Sequence, residues 1–377
     1  MKYYIIAGEK SGDLHGSHLM KAIVQEDAAA EFRYWGGEAM EQVGGTLVKH
    51  YQEMAFMGFW DIIKNLRRIL GFIKEAQKDI LAYQPDVVIL IDYGGFNMRI
   101  AKFCKQHQLL NFYYISPKVW AWNTKRAYSI KKNVDKMFVI FPFEKDFFKQ
   151  FDYEVDFVGN PLLDAIKAFQ KSEDFLERHQ IAPDKTLVAI LPGSRKQEIQ
   201  KILGGMLAIT PAFPDIQFVV GGIGRLPKDF YALAEAQPNI KVVFDETYDL
   251  LAHAQAALVT SGTATLETAL FGVPQVVCYK ASRINYLIAK SVAKVPYISL
   301  VNLIMQKEVV KELIQDDFTP EKIKQELQKI LPKGLALPQM LQDYQALKAA
   351  MGEAGASAYA GKLMVGYLQK AKSLPAS

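Results

Sequence analysis

Short apolar runs recur along the chain, and longer stretches of helical periodicity separate them. In the first half the runs are YYIIAG (3–8), FRYWGG (32–37), DVVILID (86–92), FYYIS (112–116) and MFVIF (137–141). In the second half they are TLVAILPG (186–193), IQFVVGG (216–222), KVVF (241–244), AALVTSG (256–262) and QVVCY (275–279). Runs that stay apolar without alternating predict parallel strands buried on both faces, because a half-exposed strand would show a period of two. Alternation of such strands with helices, in two blocks, predicts an α/β protein of two tandem doubly wound, Rossmann-like domains.

The stretch KAFQKSEDFLERHQIAPDK (167–185) is charged and ends in an Ala182-Pro183-Asp184 turn, which marks the junction. The expected division is 1–165, 166–350 and a terminal helix over 351–377 that packs back on the first domain. A length of 377 residues suits two domains. Net charge is +5, compatible with an anionic ligand or surface and a weak argument for nucleic acid, which is not expected as a partner. The two cysteines, Cys104 and Cys278, sit in apolar segments of different halves and read as buried free thiols. No spacing suggests a metal site, and no apolar run approaches the ~20 residues of a membrane span. These features place the protein in the cytoplasm, free or attached to a membrane from that side.

Three turns carry candidate chemistry. AGEKSGDLHG (7–16) follows the first strand, but its glycines are spaced four and four, not as in a dinucleotide fingerprint. Glu9 and Asp13 would repel a pyrophosphate. The turn reads equally as a helix start capped by Ser11 or Asp13, or as a site for sugar hydroxyls. His15 and His18 read as partly exposed helix residues. In LPGSRKQEI (191–199), Pro192 and Gly193 make the turn, Ser194 can cap, and Arg195 offers a fork for phosphate. In TSGTATLETALFGVP (260–274), Ser261, Gly262 and Thr263 present N–H groups and hydroxyls at a helix N-terminus. Glu267, one turn on, suits ribose hydroxyls. Together the two later turns predict a nucleoside-diphosphate site in the second domain, with the first turn facing the cleft opposite it.

That plan is the GT-B glycosyltransferase plan. Over nearly its whole length the chain resembles the lipid-A-disaccharide synthases. The resemblance is carried by AGEKSGD (7–13), MGFWDIIK (57–64), IDYGGFN (91–97), YISPKVWAW (114–122), FPFEKDFF (141–148), VGNPLLD (158–164), LPGSRKQEI (191–199), SGTATLETAL (261–270) and SLVNLIMQKEVVKELIQ (299–315). The chain departs from the family pattern at Gly94, often proline, and at Asn160, often histidine. The resemblance implies a donor UDP-2,3-diacylglucosamine and an acceptor 2,3-diacylglucosamine 1-phosphate. Attack by the acceptor 6-hydroxyl would release UDP and give a β-1,6-linked disaccharide with inversion. A GT-B transferase or epimerase acting on another UDP-amino sugar is the alternative.

Inversion needs one base. Asp92 ends the buried run VVILID and by position alone reads equally as base or helix cap; the resemblance favours the base. Glu9 and Asp13, with Ser11, suit the acceptor's sugar hydroxyls better than the base role. SPKVWAW reads either as core and loop aromatic packing or as a loop whose Ser116 and Lys118 line the acceptor phosphate pocket. Asn302, Glu308 and Gln315 read as a solvated helix face by pattern; the resemblance implies that they face the cleft. With no D-x-D motif on a suitable loop, no metal and no cofactor are expected; helix N-termini and Arg195 would balance the diphosphate. The segment 53–74 interleaves Phe56, Phe59 and Trp60 with Lys64, Arg67 and Arg68. By pattern it is either a core helix with a basic side or a face for an anionic membrane. The resemblance favours a surface that admits acyl chains and a peripheral place on the inner face of the inner membrane. A homodimer is compatible with these features.

Overall fold

A computed structural model describes residues 1–54, 66–237, 239–282, 286 and 295–373. The chain forms two compact units, 1–164 with 353–377, and 165–352.

The first unit contains β1 (Lys2–Ala7), α1 (Lys10–Glu26), β2 (Glu31–Gly36), α2 (Glu38–Glu41), β3 (Thr46–His50) and α3 (Leu66–Tyr83). It continues with β4 (Val87–Ile91), α4 (Gly94–Gln106), β5 (Asn111–Tyr114), β6 (Lys136–Val139), α5 (Phe143–Lys149) and β7 (Asp156–Phe157). The described strands pair in parallel in the order β3-β2-β1-β4-β5-β6-β7. Alternate residues of one strand feed opposite faces. Tyr4, Ile6, Val88, Leu90 and Tyr113 pack against Ile73, Ala76 and Ile80 of α3 and Ile100 of α4. Tyr3, Ile5, Ile89, Ile91 and Phe112 pack against Leu19, Met20 and Ile23 of α1. The same face receives Met364, Val365 and Leu368 of the last helix, Ala356–Ser373, which returns to this unit. With both faces covered, each strand needs an unbroken apolar run.

The second unit contains β8 (Thr186–Leu191), α6 (Lys196–Leu207), β9 (Ile216–Gly222), β10 (Ile240–Phe244), β11 (Ala256–Thr260) and α7 (Thr263–Leu270). Next come β12 (Gln275–Tyr279), α8 (Leu300–Met305), β13 (Lys311–Ile314), α9 (Pro320–Ile330) and α10 (Leu337–Met351). Its order, β10-β9-β8-β11-β12-β13, is again all parallel. Strand order reverses beside β1 and β4 in one sheet and beside β8 and β11 in the other. Doubly wound sheets bind ligands at the carboxyl ends of strands at such switch points.

The apolar runs missed β3, β7 and β13. All three are outermost strands, and each is largely half-exposed, so the pattern that marks interior strands is weak there. Part of the 53–74 segment lies in α3, where Ile73 is buried and Ile69 and Phe72 pack on the core while Arg67 and Arg68 face outward. Phe56, Phe59, Trp60 and Lys64 lie outside the described residues. Cys104 and Cys278 are both buried and free.

Candidate functional site

At the switch point of the first sheet, Ala7 pairs with Ile91, so Gly8 and Asp92 leave their strands side by side. A side chain at Gly8 would put Cβ 2.3 Å from the Tyr93 ring, so only glycine lets the two strand ends approach this closely. Asp92 and Tyr93 hold left-handed backbone, φ +45° and +48°. That conformation costs non-glycine residues about 1–2 kcal/mol each and persists where the surroundings enforce it. Here the Asp92 carbonyl is pinned by Asn97 Nδ2 at 2.9 Å and by the Tyr113 hydroxyl at 2.5 Å, while its N–H donates to the Tyr114 carbonyl at 3.0 Å. The helix α4 that follows has no side-chain cap, so the cap reading of Asp92 falls away. Its half-buried carboxyl is raised above the usual range, first by burial and then by the charge of Glu9, while Lys118 opposes the shift.

Glu9 is exposed and is the N-cap residue of α1. The helix therefore starts at Lys10, ahead of both proposed caps, and neither Ser11 nor Asp13 caps it; Ser11 is exposed in its first turn. Asp13 is 3% exposed, and its carboxylate accepts N–H groups from Gly37 (2.7 Å), Ala39 (2.9 Å) and Met40 (3.1 Å). Its oxygens hold the start of α2 and are not left over for a sugar hydroxyl. His15 Nδ1 is buried without a partner among the described residues, and burial lowers its imidazole to about 4. Ser116 is also buried, and its hydroxyl donates to Glu144. FPFEKDFF (141–148) stands out as a motif, but nothing in the sequence sets Glu144 apart from Asp146 within it. Asn160 caps the turn at Leu162 through Oδ1 (3.0 Å) and donates to the Ile140 carbonyl (3.2 Å), so at this position the amide serves the backbone.

In the second unit, Leu191 pairs beside Val259, so the turns after β8 and β11 are neighbours at one sheet edge. Gly193 has φ +111° and turns the chain so that Ser194 and Arg195 both donate N–H groups to Glu198 at 3.2 Å. The residue at the helix cap is Arg195, in place of Ser194, and its guanidinium is largely exposed. After β11, Ser261 donates its hydroxyl to the Ile298 carbonyl at 2.8 Å. Gly262 and Thr263 are exposed at the start of α7. Glu267 is half-buried, its carboxyl raised by burial, and the Tyr248 hydroxyl donates to it at 3.2 Å. Tyr248 is itself packed on Phe169 and Phe271. Thr260 Oγ1, at the end of β11, is buried without a partner among the described residues.

Two of the three tail positions are occupied elsewhere. Asn302 is fully buried; its Oδ1 accepts from Val309 and Val310, and its Nδ2 donates to the Val310 carbonyl and to Glu312. It ties α8 to the start of β13 and has no group free for a ligand. Glu308 pairs with Lys311 at the amino end of β13, away from the turns above. Gln315 does follow the carboxyl end of β13, where it exchanges two hydrogen bonds with Ala281. Among the described residues no group of three His, Cys, Asp or Glu side chains is placed to hold a metal ion, and no helix is long and apolar enough to cross a membrane.

A model of the lipid-A-disaccharide synthetase family matches residues 3–359. The lipid-A-disaccharide synthase of Syntrophus aciditrophicus is 38% identical over 374 residues, 97% of each chain. That of Geobacter sulfurreducens is 36% identical over 333 residues, 87% of each chain. Among solved structures, a UDP-GlcNAc 2-epimerase from Neisseria meningitidis bound to UDP-GlcNAc is similar with a TM-score of 0.67 at 13% identity, over 98% of this chain and 100% of that one. The calicheamicin glycosyltransferase CalG4 is similar at 0.64 and 15% identity, over 98% of both chains. At such identities these structures bear on the fold alone.

Proposed function

The chain belongs to the lipid-A-disaccharide synthase family, a family of glycosyltransferases in lipid A biosynthesis, and on that premise we propose how its residues divide the transfer. The donor is UDP-2,3-diacylglucosamine and the acceptor 2,3-diacylglucosamine 1-phosphate. The acceptor 6-hydroxyl attacks the donor anomeric carbon; that C–O bond forms as the bond to the diphosphate oxygen breaks. The proton passes to Asp92, and UDP departs, leaving a β-1,6-linked disaccharide phosphate. Asp92 carries the proposal. It stands at a switch point on enforced backbone, and its carboxyl is raised by burial and by Glu9, so it is a stronger base than a free aspartate.

The second unit takes the nucleotide. The exposed first turn of α7 offers its N–H groups to the diphosphate. Arg195, largely exposed and paired with Glu198 at 3.5 Å, exchanges that partner for the phosphate, while Glu198 holds the Ser194 and Arg195 N–H groups and so shapes the 193–195 turn. Glu267, held by Tyr248, accepts the ribose hydroxyls. Of the first-turn residues, Glu9 takes acceptor hydroxyls, Ser11 stands beside it, and Asp13 supports them through α2. Gln315 is the tail residue retained at the site. Both substrates carry acyl chains, so the protein meets them at the cytoplasmic face of an anionic bilayer through 53–74, with Arg67 and Arg68 toward the headgroups. Asp92→Asn tests the assignment. Turnover should fall about a hundredfold or more with UDP affinity unchanged; turnover at the original rate would make Asp92 structural and Glu9 the next base to examine.

A further inference from the structure

Glu144, in the first turn of α5, is 1% exposed. Its Oε2 accepts N–H groups from Phe141 (3.0 Å) and Ile140 (3.3 Å), and its Oε1 takes the Ser116 hydroxyl. The surroundings are aromatic: the Trp120 ring packs edge-on to Phe141 and Phe143. Burial pushes the carboxyl up to about 7, against the pull of these hydrogen bonds. A buried carboxylate held by neutral donors is costly to the fold, so its retention calls for a use beyond packing.

The use is visible one residue before Ser116. Ile115 has φ +65°, an outlying conformation for a β-branched side chain. This bend ends β5 and turns the chain over the Asp92 edge. Pro117 then packs where a Cβ on Gly94 would lie 3.0 Å away, and the charge of Lys118 reaches Asp92. A strained turn stays only where its neighbours hold it. The Ser116 hydroxyl ties this turn to Glu144 on α5, and Glu144 is anchored in turn to the backbone of Ile140 and Phe141 that leaves β6.

We propose that Glu144 is a positioning residue for the transfer: by accepting the Ser116 hydroxyl it holds the strained 115–118 turn, and the turn sets Pro117 and Lys118 against the Asp92 edge. The proposal rests on the reading of Asp92 as the base.

Glu144→Gln fills the same space but replaces an acceptor by an N–H₂ donor among groups that all donate. The experiment compares it with Ser116→Ala, the double variant and Asp92→Asn, reading acceptor kcat/KM, UDP Kd and Tm at pH 8. Glu144→Gln should lower acceptor kcat/KM ten- to a hundredfold and leave UDP Kd within twofold, with a Tm fall larger than that of Ser116→Ala because a donor now sits among donors. Ser116→Ala should show the same kinetic loss, and the double variant should be no worse than Glu144→Gln alone, since the two act as one device. If Glu144→Gln does not fold, Ser116→Ala carries the kinetic and UDP readings. Unchanged acceptor kinetics, losses that multiply in the double variant, or a kinetic loss that scales with the fall in Tm across the two single variants would each overturn the proposal. An active Asp92→Asn would instead overturn the base assignment, so the two failures are distinguishable.

Discussion

Removing the Asp13 carboxylate separates a structural role from a ligand role. In Asp13→Ala, three N–H groups at the start of α2 lose a charged acceptor that now binds them at 2.7, 2.9 and 3.1 Å. Hydrogen bonds to charged groups contribute ~1.5–3 kcal/mol each, but water can reach Ala39 in part, and the three share one carboxylate. The expected loss is therefore about 3–5 kcal/mol in total, at the upper end of single substitutions. Asp13→Asn keeps one acceptor oxygen and should lose roughly half as much. Trp35, fully buried one residue before Gly36, gives a fluorescence probe of this region in urea unfolding. The midpoint should fall in the order Asp13, Asn, Ala, with UDP affinity unchanged. An unchanged midpoint in Asp13→Ala together with a raised acceptor KM would refute the argument and return Asp13 to the acceptor site.

Other expectations follow from the same geometry. Arg195→Ala and Glu267→Ala should each weaken UDP binding about tenfold or more, measured by calorimetry; equal affinity in either would remove that residue from the nucleotide site. Replacing Lys64, Arg67 and Arg68 together by Ser should cost ~3 kcal/mol of binding to anionic vesicles, about a hundredfold, with the difference shrinking at high salt. Unchanged partitioning would leave 53–74 as a core element only. His15 is held near 4 against a usual 6.5, so the folded state stays neutral where the unfolded state takes a proton. Its contribution is full above pH 6.5 and lost as pH falls toward 4, about 3 kcal/mol over that window. Urea unfolding of His15→Gln should show a shallower loss between these pH values, and an unchanged slope would contradict it.

What could be read from sequence depended on how local the cause is. Interior strands announce themselves because burial on both faces demands continuous apolar runs, as in VVILI and TLVAIL. The edge strands KELI and TLVKH bury less and so leave less trace. The strand-end turns at Asp92, Gly193 and Gly262 were legible, because a strand, a turn and a helix follow one another within a few residues. Asp13, Asn302 and Glu144 were not, because their partners are set by packing. Asp13 binds backbone 24 to 27 residues away, and Glu144 binds a serine 28 residues earlier. A carboxylate or amide that the sequence offers to a ligand is in these cases consumed by partners that only the folded chain brings near.

The most direct measurement is to incubate the protein with UDP-2,3-diacylglucosamine and 2,3-diacylglucosamine 1-phosphate in mixed micelles, and to follow UDP release and the anomeric linkage of the lipid product by NMR. The account predicts one UDP per β-1,6-linked disaccharide phosphate formed, with no product when either lipid is omitted. UDP release without disaccharide, a product of the other anomeric configuration, or turnover of the donor alone to an epimer would contradict it.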